Sequence, residues 1–430
     1  MNGHSEYTRG DISECPFFKH TNGVMNGHAN GHANGHTNGN PHINGNSSHD
    51  EDYTKHHGKL HNLKDRLTVE DVRGSEVTYA NYINTNDLLA LQGSDIKLGH
   101  HHHDEHLFIL VHQEFELWFK QILHELTSVQ TIFISSAVDG GKLSQQAAHV
   151  IVSRIDRCDR IMRHALGIFD ILETMHPADF LEFRDYIGPA SGFQSIQMRE
   201  MEILLGLEDT ERVRCGFSTY MHPIQKDVNG VQRIMIRKGE ATIRNLVYDW
   251  LENIYNKVPS DFVQVFLEKK KENVIFQKSL WQSDPERVQQ AVEKELNDLK
   301  PFMEGMEATN TLSGDSQPTS PSEEDLLMRE RRRKRRIATL FVMCYRHDPA
   351  ITLYANILDA VVGFEEAFVL WRTRHARMVE RMIGRRLGTG GSSGVAYLDM
   401  TTQYRIFMDL WLSRSHFLRA SALPKMHLLK

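Results

Sequence analysis

What this 430-residue sequence lacks excludes several classes of protein. Its four cysteines are far apart and show no CxxC, CxxCH or zinc-finger spacing, which is typical of reduced thiols in a cytosolic protein. No stretch approaches the roughly 18 apolar residues of a membrane span. The first ten residues also lack the basic and apolar parts of a secretory signal. We therefore expect a soluble, cytoplasmic protein with no membrane partner.

The sequence also lacks an excess of positive charge and any clear strand pattern. Its formal net charge of -6 gives no general reason to expect nucleic acid as a partner. No βαβ alternation occurs, whereas apolar residues recur at three- and four-residue steps. We predict an all-α fold. The length allows two or three domains, or one large helical domain with insertions.

Composition divides the chain into segments. The repeat NGHANGHANGHTNGN cannot bury enough apolar surface to offset its ordering entropy, so we expect a disordered Asn/Gly/His-rich tail. Weak binding of transition metals by this tail is an alternative role. The predicted segments are residues 1–65, the tail; 66–205, the N-terminal part of a helical core; 206–303, an inserted helical segment; 304–325, a Ser/Thr/Pro-rich linker; and 326–430, the C-terminal part of the core.

Two stretches of the core show strong helical periodicity. HLFILVHQEFELWFKQILHELTSVQTIF and IVSRIDRCDRIMRHALGIFDILETM each carry one apolar stripe, which predicts two long amphipathic helices. Gly188 and Pro189 predict a turn after FLEFRDYI. The run RERRRKRR, residues 329–336, is open to interpretation as a nuclear-import or nucleic-acid patch. Because it directly opens a helix, we favour a solvated helix face.

Six histidines occur in GHHHHDEHLFILVHQ, between Gly99 and Gln113. His103 and His106 are three apart and could share a metal, but HDEH is not the HExxH motif, and no further ligand follows at zinc spacing. We favour a surface loop before a helix, with two acidic residues in the first helical turn. His112 differs, because it shares an apolar helix face with Phe108. Spacing alone favours a core histidine there over a functional one.

Two further motifs have more than one interpretation. In WRTRHARMVERMIG, His375 lies between Trp371 and Met378, where an imidazole could ligate haem iron or be an ordinary, partly buried side chain. The stretch LGTGGSSG, residues 387–394, lacks the lysine of a phosphate-binding loop and follows a helix. It could instead be a mobile lid over a polar ligand, or a plain flexible loop.

Taken together and in order, five motifs are more specific than any one of them. The sequence contains YANYINTNDLLALQ, HDEHLFILVHQEFELWFKQILHEL, ILETMHPADFLEFRDYIGPASGFQS, WRTRHARMVERMIG and LGTGGSSGVAYL. In these residues the chain resembles the tryptophan 2,3-dioxygenase family. The resemblance covers about residues 79–193 and 345–426 and is weak between Gly206 and Arg336. Thr373 and Arg374, before the histidine, depart from the animal pattern, and Arg374 and MVERMIG are closer to bacterial members.

The resemblance implies an all-helical haem enzyme, normally a homotetramer in which neighbouring subunits share pocket residues. It implies a non-covalent haem b, with ferrous iron in the active form. The reaction implied is insertion of O2 across the indole C2–C3 bond of L-tryptophan to give N-formyl-L-kynurenine, within tryptophan catabolism by the kynurenine pathway. A relative that oxygenates another indole derivative, or a non-catalytic haem-binding protein, is the alternative.

The resemblance also implies roles for individual residues. His375 is similar to the proximal ligand of the haem iron. His112 is similar to the distal histidine that accepts a hydrogen bond from the indole N–H, with Phe108 beside it. Arg184 resembles the residue that holds the substrate carboxylate. The other implied substrate contacts are Ile187, Thr389 and a segment contributed by a neighbouring subunit, namely Tyr79, Tyr82 and Ile83.

Overall fold

The computed structural model describes residues 77–92, 102–138, 140–213, 220–306, 322–390 and 394–426. Every regular element in these ranges is a helix or a helical turn, so the all-α prediction is confirmed. The contacts divide the chain after Tyr82 into two units, and the described part of the first unit is one short helix with its preceding residues. The predicted N-terminal tail lies outside the described residues.

The helices of the described ranges are numbered here in chain order. They are α1 (Tyr79–Tyr82), α2 (Thr85–Ala90), α3 (His103–Val138), α4 (Gln145–Leu172), α5 (Pro177–Ile187), α6 (Ile196–Leu205), α7 (Val228–Lys238), α8 (Ile243–Tyr255), α9 (Phe262–Ser279), α10 (Pro285–Met303), α11 (Glu323–Cys344), α12 (Thr352–Ile383), α13 (Val395–Thr401) and α14 (Met408–Arg414).

Both long helices predicted from periodicity are present as α3 and α4. Asp104 and Glu105 occupy the first turn of α3, where their negative charge complements the helix dipole. Ser144 caps α4 by accepting a hydrogen bond from the backbone N–H of Ala147 at 3.1 Å. The predicted break at Gly188 is also confirmed, because α5 ends at the residue before it.

The main core forms where α12 packs on α4 and α4 packs on α3. The helices of the predicted insert contribute to this same core through the buried side chains of Val247, Leu251, Phe262 and Phe266. Close packing of these helices supplies most of the stability, since burial of apolar surface contributes about 25 cal/mol per Å². None of the helices described here is both long and apolar enough to cross a membrane.

The end of α6 requires a glycine. Gly206 has a positive φ of 115°, and a Cβ added there would lie 2.7 Å from the Cβ of Arg244. L-residues with a side chain rarely adopt this backbone conformation, and the Arg244 side chain of α8 lies too close for one. Gly206 therefore allows α6 and α8 to approach each other beside the core.

The predicted solvated face for the basic run of residues 329–336 is wrong. These residues do lie in a helix, α11, but each is at least partly buried. Their guanidinium groups pair with carboxylates of the same chain; for example, both Arg331 and Arg335 bind Glu252, at 3.0 and 2.8 Å. Sequence alone could not reveal these acidic partners, which lie about 80 residues earlier. The predicted linker also ends earlier than expected, because α11 begins at Glu323.

The last arginine of this run connects two helices inside the protein. Arg336 is buried, and its Nε donates to the Asp409 carboxylate of α14 at 2.7 Å. The backbone carbonyls of Phe302 and Met306 accept two further hydrogen bonds, at 3.2 and 2.8 Å. Removing one member of such a pair leaves the other charge buried without compensation.

We expect Asp409→Ala to lower the free energy of unfolding by about 3 kcal/mol or more, because it strands the Arg336 charge in the core. Denaturant titration followed by circular dichroism would measure this loss. The control is Asp359→Ala, which removes the exposed partner of Arg414 at 3.1 Å and should cost less than about 1 kcal/mol. Equal losses in the two variants would contradict the buried role of the Arg336–Asp409 pair.

Candidate functional site

A cavity of about 250 Å³ is bounded by side chains from α3, α4, α5, α6, α12 and α13 and by the loops that follow α5 and α12. Five of the residues implied by the sequence resemblance line it together. They are Phe108, His112, Arg184, His375 and Thr389. Together these residues span more than 250 positions of the chain, from Phe108 to Thr389, so it is the packing of the helices that brings them to one cavity.

The other four implied residues are not among those that line this cavity. Ile187, the last residue of α5, is partly buried and packs against the main core. Ile83, at the start of the second unit, is 42% exposed. Tyr79 and Tyr82 belong to the first unit and are 78% and 79% exposed there. Their suggested contribution to a neighbouring subunit stays a prediction.

His112 presents a neutral imidazole with a defined tautomer. Its Nδ1 lies 2.7 Å from the backbone carbonyl of Phe108, and a carbonyl oxygen can only accept a hydrogen bond. Nδ1 therefore carries the proton and Nε2 keeps its lone pair as an acceptor. Burial lowers the pKa of His112, although the Phe108 bond and the nearby Glu116 carboxylate raise it in part. The ring of Phe108 packs against the imidazole at 4.1 Å between centroids.

His375 lies on α12, among aromatic rings. The ring of Phe169 stacks on its imidazole at 5.7 Å and 11°, and the Trp371 ring lies 5.1 Å away. Burial lowers the pKa of His375 to about 4, with smaller contributions from His112 and Arg372. The imidazole is therefore neutral at physiological pH, and its lone pair is available to a ligand in the cavity.

A buried cluster of one carboxylate and three guanidinium groups forms another part of the cavity wall. Glu202 of α6 is 0% exposed and binds Arg199, Arg212 and Arg372 at 2.9, 2.5 and 2.6 Å. Burial raises the pKa of Glu202, but the three neighbouring positive charges outweigh it and hold that pKa well below the usual range. Three guanidinium groups outnumber the Glu202 carboxylate and the more exposed Asp209 carboxylate, which lies 3.8 Å from Nε of Arg212, so the cluster leaves surplus positive charge at the cavity.

Two buried nitrogen atoms of the wall have no hydrogen-bond partner within the described residues. They are Nε of Arg199 and the indole Nε1 of Trp371, and both residues line the cavity. Native proteins rarely leave a buried donor unsatisfied, because each such group costs about 1–3 kcal/mol. Both donors therefore point to an acceptor that the described residues do not supply.

Arg184 and Thr389 connect the glycine-rich loop to the segment around the end of α5. Nη2 of Arg184 donates to the backbone carbonyl of Leu387, and the Thr389 hydroxyl donates to the carbonyl of Ala190 at 2.6 Å. Gly390 approaches so closely that an added Cβ would lie 2.9 Å from the Cβ of Ser191. The described part of the loop therefore lies against one rim of the cavity.

The histidine-rich run before α3 shows no metal-binding arrangement in its described part. Among the residues with known positions, no group of three or more His, Cys, Asp or Glu could hold a metal ion. His102 instead stacks its ring near Phe183 and Tyr186, at 6.1 and 6.5 Å. His100 and His101 lie outside the described residues.

Reasoning from the sequence missed the Glu202 cluster. Its only local signal is the spacing of Arg199 and Glu202, three residues apart in the segment SIQMREMEILL. A buried charge needs a partner, so a glutamate among the apolar residues of such a helix indicates that arginines reach it. That signal does not identify the two partners outside the helix, Arg212 and Arg372, which lie 10 and 170 residues away.

Comparison with known proteins gives a consistent result. The model of the tryptophan 2,3-dioxygenase family matches residues 65–417, including the segment between Gly206 and Arg336 where the motifs gave little resemblance. Tryptophan 2,3-dioxygenase of Sorangium cellulosum (strain So ce56) is 37% identical over 392 residues, which covers 85% of this chain and 91% of that protein. Tryptophan 2,3-dioxygenase 2 of Ralstonia nicotianae is 37% identical, covering 81% and 95%. Tryptophan 2,3-dioxygenase B of Danio rerio is 34% identical, covering 82% and 84%.

The buried cluster predicts a pH-dependent stability. Because the pKa of Glu202 is lower in the folded than in the unfolded chain, its stabilisation is complete above about pH 5 and is lost as the pH falls further. We expect Glu202→Gln to unfold about 3 kcal/mol more easily at pH 7. The difference in the free energy of unfolding between wild type and this variant should become smaller below about pH 4.5.

Thermal unfolding of both proteins across this pH range would measure the difference. The control is Glu366→Gln, which removes a 54% exposed partner of Arg163 and should have a small effect at every pH. A Glu202→Gln deficit that does not change between neutral and acidic pH would contradict ionisation as its cause.

Proposed function

This chain belongs to the tryptophan 2,3-dioxygenase family of oxidoreductases, and on that premise we propose that it inserts O2 across the indole C2–C3 bond of L-tryptophan. The product is N-formyl-L-kynurenine, and the reaction belongs to tryptophan catabolism by the kynurenine pathway. The observation that carries the proposal is one cavity whose lining brings together two neutral histidines, His112 and His375, and the guanidinium of Arg184.

The wall of the cavity fits a haem b group. A metal held by His375 alone needs its remaining ligands from elsewhere, since the described residues contain no cluster of three or more ligating side chains. A porphyrin brings four nitrogen ligands of its own, so His375 would be sufficient as the ligand that the protein supplies to the iron. The unpartnered nitrogens of Arg199 and Trp371, with the surplus positive charge around Glu202, suit the carboxylates of the macrocycle.

When bound, ferrous haem supplies the binding and activation of O2. The protein positions the other reactant. Nε2 of His112 accepts a hydrogen bond from the indole N–H, because its Nδ1 proton is already donated to the Phe108 carbonyl. The guanidinium of Arg184 binds the substrate carboxylate through two parallel hydrogen bonds. The hydroxyl of Thr389 contacts the amino-acid end of the same molecule.

This reaction requires no reductant and no strong base. Both atoms of O2 enter the product, the C2–C3 bond of indole breaks, and two carbonyl groups form, so atoms and electrons balance without an external donor. A neutral His112 is sufficient, because oxygen adds to an electron-rich double bond. Aromatic walls from Phe108, Phe169 and Trp371 keep water from the reacting centre. The glycine-rich loop, closing over the substrate, would complete this exclusion.

The remaining family properties belong to the same proposal. We propose a cytoplasmic homotetramer in which Tyr79, Tyr82 and Ile83 contribute to the pocket of a neighbouring subunit. The high exposure of the two tyrosines in a single chain supports this role, because large exposed apolar rings are typical of interfaces. Ile187, one helical turn after Arg184, remains a proposed apolar contact with the substrate.

The decisive experiment mixes haem-loaded, reduced protein with L-tryptophan and air, and identifies N-formylkynurenine by absorbance and mass. We expect His375→Ala to lose bound haem and all product, because it removes the iron ligand. His112→Ala is the matched control: it should retain haem and some turnover at a reduced rate, since its role is orientation. If the protein binds haem but forms no product from tryptophan, other indoles are the substrates to test next. A protein that binds no haem would contradict the proposal.

A second variant tests the carboxylate contact. We expect Arg184→Lys to weaken L-tryptophan binding about tenfold or more, because an ammonium group cannot form two parallel hydrogen bonds to a carboxylate. Equilibrium titration of the haem-loaded protein would measure this change. Tryptamine, which lacks the carboxylate, provides the control and should bind both proteins with affinities within about twofold. Near-normal affinity of the variant for L-tryptophan would contradict the role of Arg184.

A further inference from the structure

A second, more open cavity lies beside the first. It has a volume of about 480 Å³ and is lined by seven residues of α5, the turn after it and the start of the glycine-rich loop. Three of its lining residues also line the inner cavity, namely Arg184, Gly388 and Thr389. The two cavities therefore share a wall that contains both groups proposed to bind the amino-acid end of the substrate.

The outer cavity has a net positive lining. Its charged residues are Arg184, Arg386 and Asp185. The Asp185 carboxylate lies 3.6 Å from Nη1 of Arg184, but its side chain is 88% exposed, so water screens that charge strongly. Two arginines against one hydrated carboxylate favour an anion in this cavity.

The side chain of Arg386 has no structural role that its contacts in the described residues explain. Its backbone N–H donates to the carbonyl of Ile383 at 3.2 Å, which places the residue in the turn after α12. Its side chain is exposed and has no hydrogen bond or ion pair with any described residue. The neighbouring Arg385 is equally exposed but lines neither cavity. Arg386 therefore differs from Arg385 in its position beside the outer cavity, and not in its charge.

We propose that the outer cavity is an anion-binding vestibule in which Arg386 first captures the carboxylate of an amino-acid substrate. The carboxylate then passes to Arg184, which lines both cavities, without leaving the reach of a guanidinium group. Arg386 contacts the substrate only in this first step, since it does not line the inner cavity. The inference rests on the proposed function only in its choice of L-tryptophan as the amino acid.

The test is anaerobic stopped-flow mixing of haem-loaded ferrous protein with L-tryptophan, followed by the haem absorbance, so that no turnover is needed. Measurements at about 0.01 M and about 1 M salt change the Debye length from about 30 to about 3 Å. We expect Arg386→Gln to slow association about three- to tenfold at low salt and to have no effect at high salt. The dissociation rate should stay unchanged.

Two controls make the result specific. Arg385→Gln removes the same charge one residue away and should change association by less than about twofold. Tryptamine lacks a carboxylate, so its association should not slow in Arg386→Gln. Two results would overturn the proposed vestibule. One is an equal slowing of association in both arginine variants, and the other is faster dissociation of L-tryptophan from Arg386→Gln without slower association.

The proposed function can fail separately from this inference. If wild type binds L-tryptophan but forms no product in air, the dioxygenase proposal fails and the association rates still decide the role of Arg386. If wild type does not bind L-tryptophan, both proposals are overturned.

Discussion

The cavity depends on the buried Glu202 carboxylate. Taking this charge out of water costs several kcal/mol, and three guanidinium groups compensate it in a single cluster. Two of the arginines lie outside α6: Arg212 follows that helix ten residues after Glu202, and Arg372 lies on α12, three residues before His375. Because none of these groups can move without stranding a buried charge, the cluster fixes α6 against α12. The position of the proposed iron ligand follows from that constraint.

Desolvation gives the two histidines of the cavity their chemical character. The same aromatic packing that surrounds His375 removes water from its imidazole, which lowers its pKa to about 4. The pKa of His112 falls for the same reason. Neutral imidazoles have a free lone pair, which both metal ligation and acceptance of an N–H bond require. The arginines add positive charge to the same lining, where anionic groups would bind.

Much of the fold could be predicted from the sequence, because it depends on local periodicity. The helices α3 and α4 and the end of α5 at Ile187 follow from apolar spacing and from the Gly188–Pro189 pair. Five of the implied site residues also meet in one cavity, since they come from motifs with a distinct local pattern. Ion pairs between residues far apart in the chain were the main feature that the sequence did not predict. Arg372, which binds Glu202, lies 170 residues away, and Glu252, which binds Arg335 of the basic run, lies 83 residues away, so no local pattern predicts either pair.

Arg184 joins several of these features through one side chain. Its guanidinium is 16% exposed, lines both cavities and donates to the carbonyl of Leu387. A guanidinium has five N–H donors in one plane, so it can hold the loop through one edge and a carboxylate through another. Binding of a carboxylate would then fix the orientation of the side chain that holds Leu387. The position of the loop and the occupation of the cavity are therefore coupled through the same group, and a lysine, with a single ammonium, could not provide both contacts in a fixed geometry.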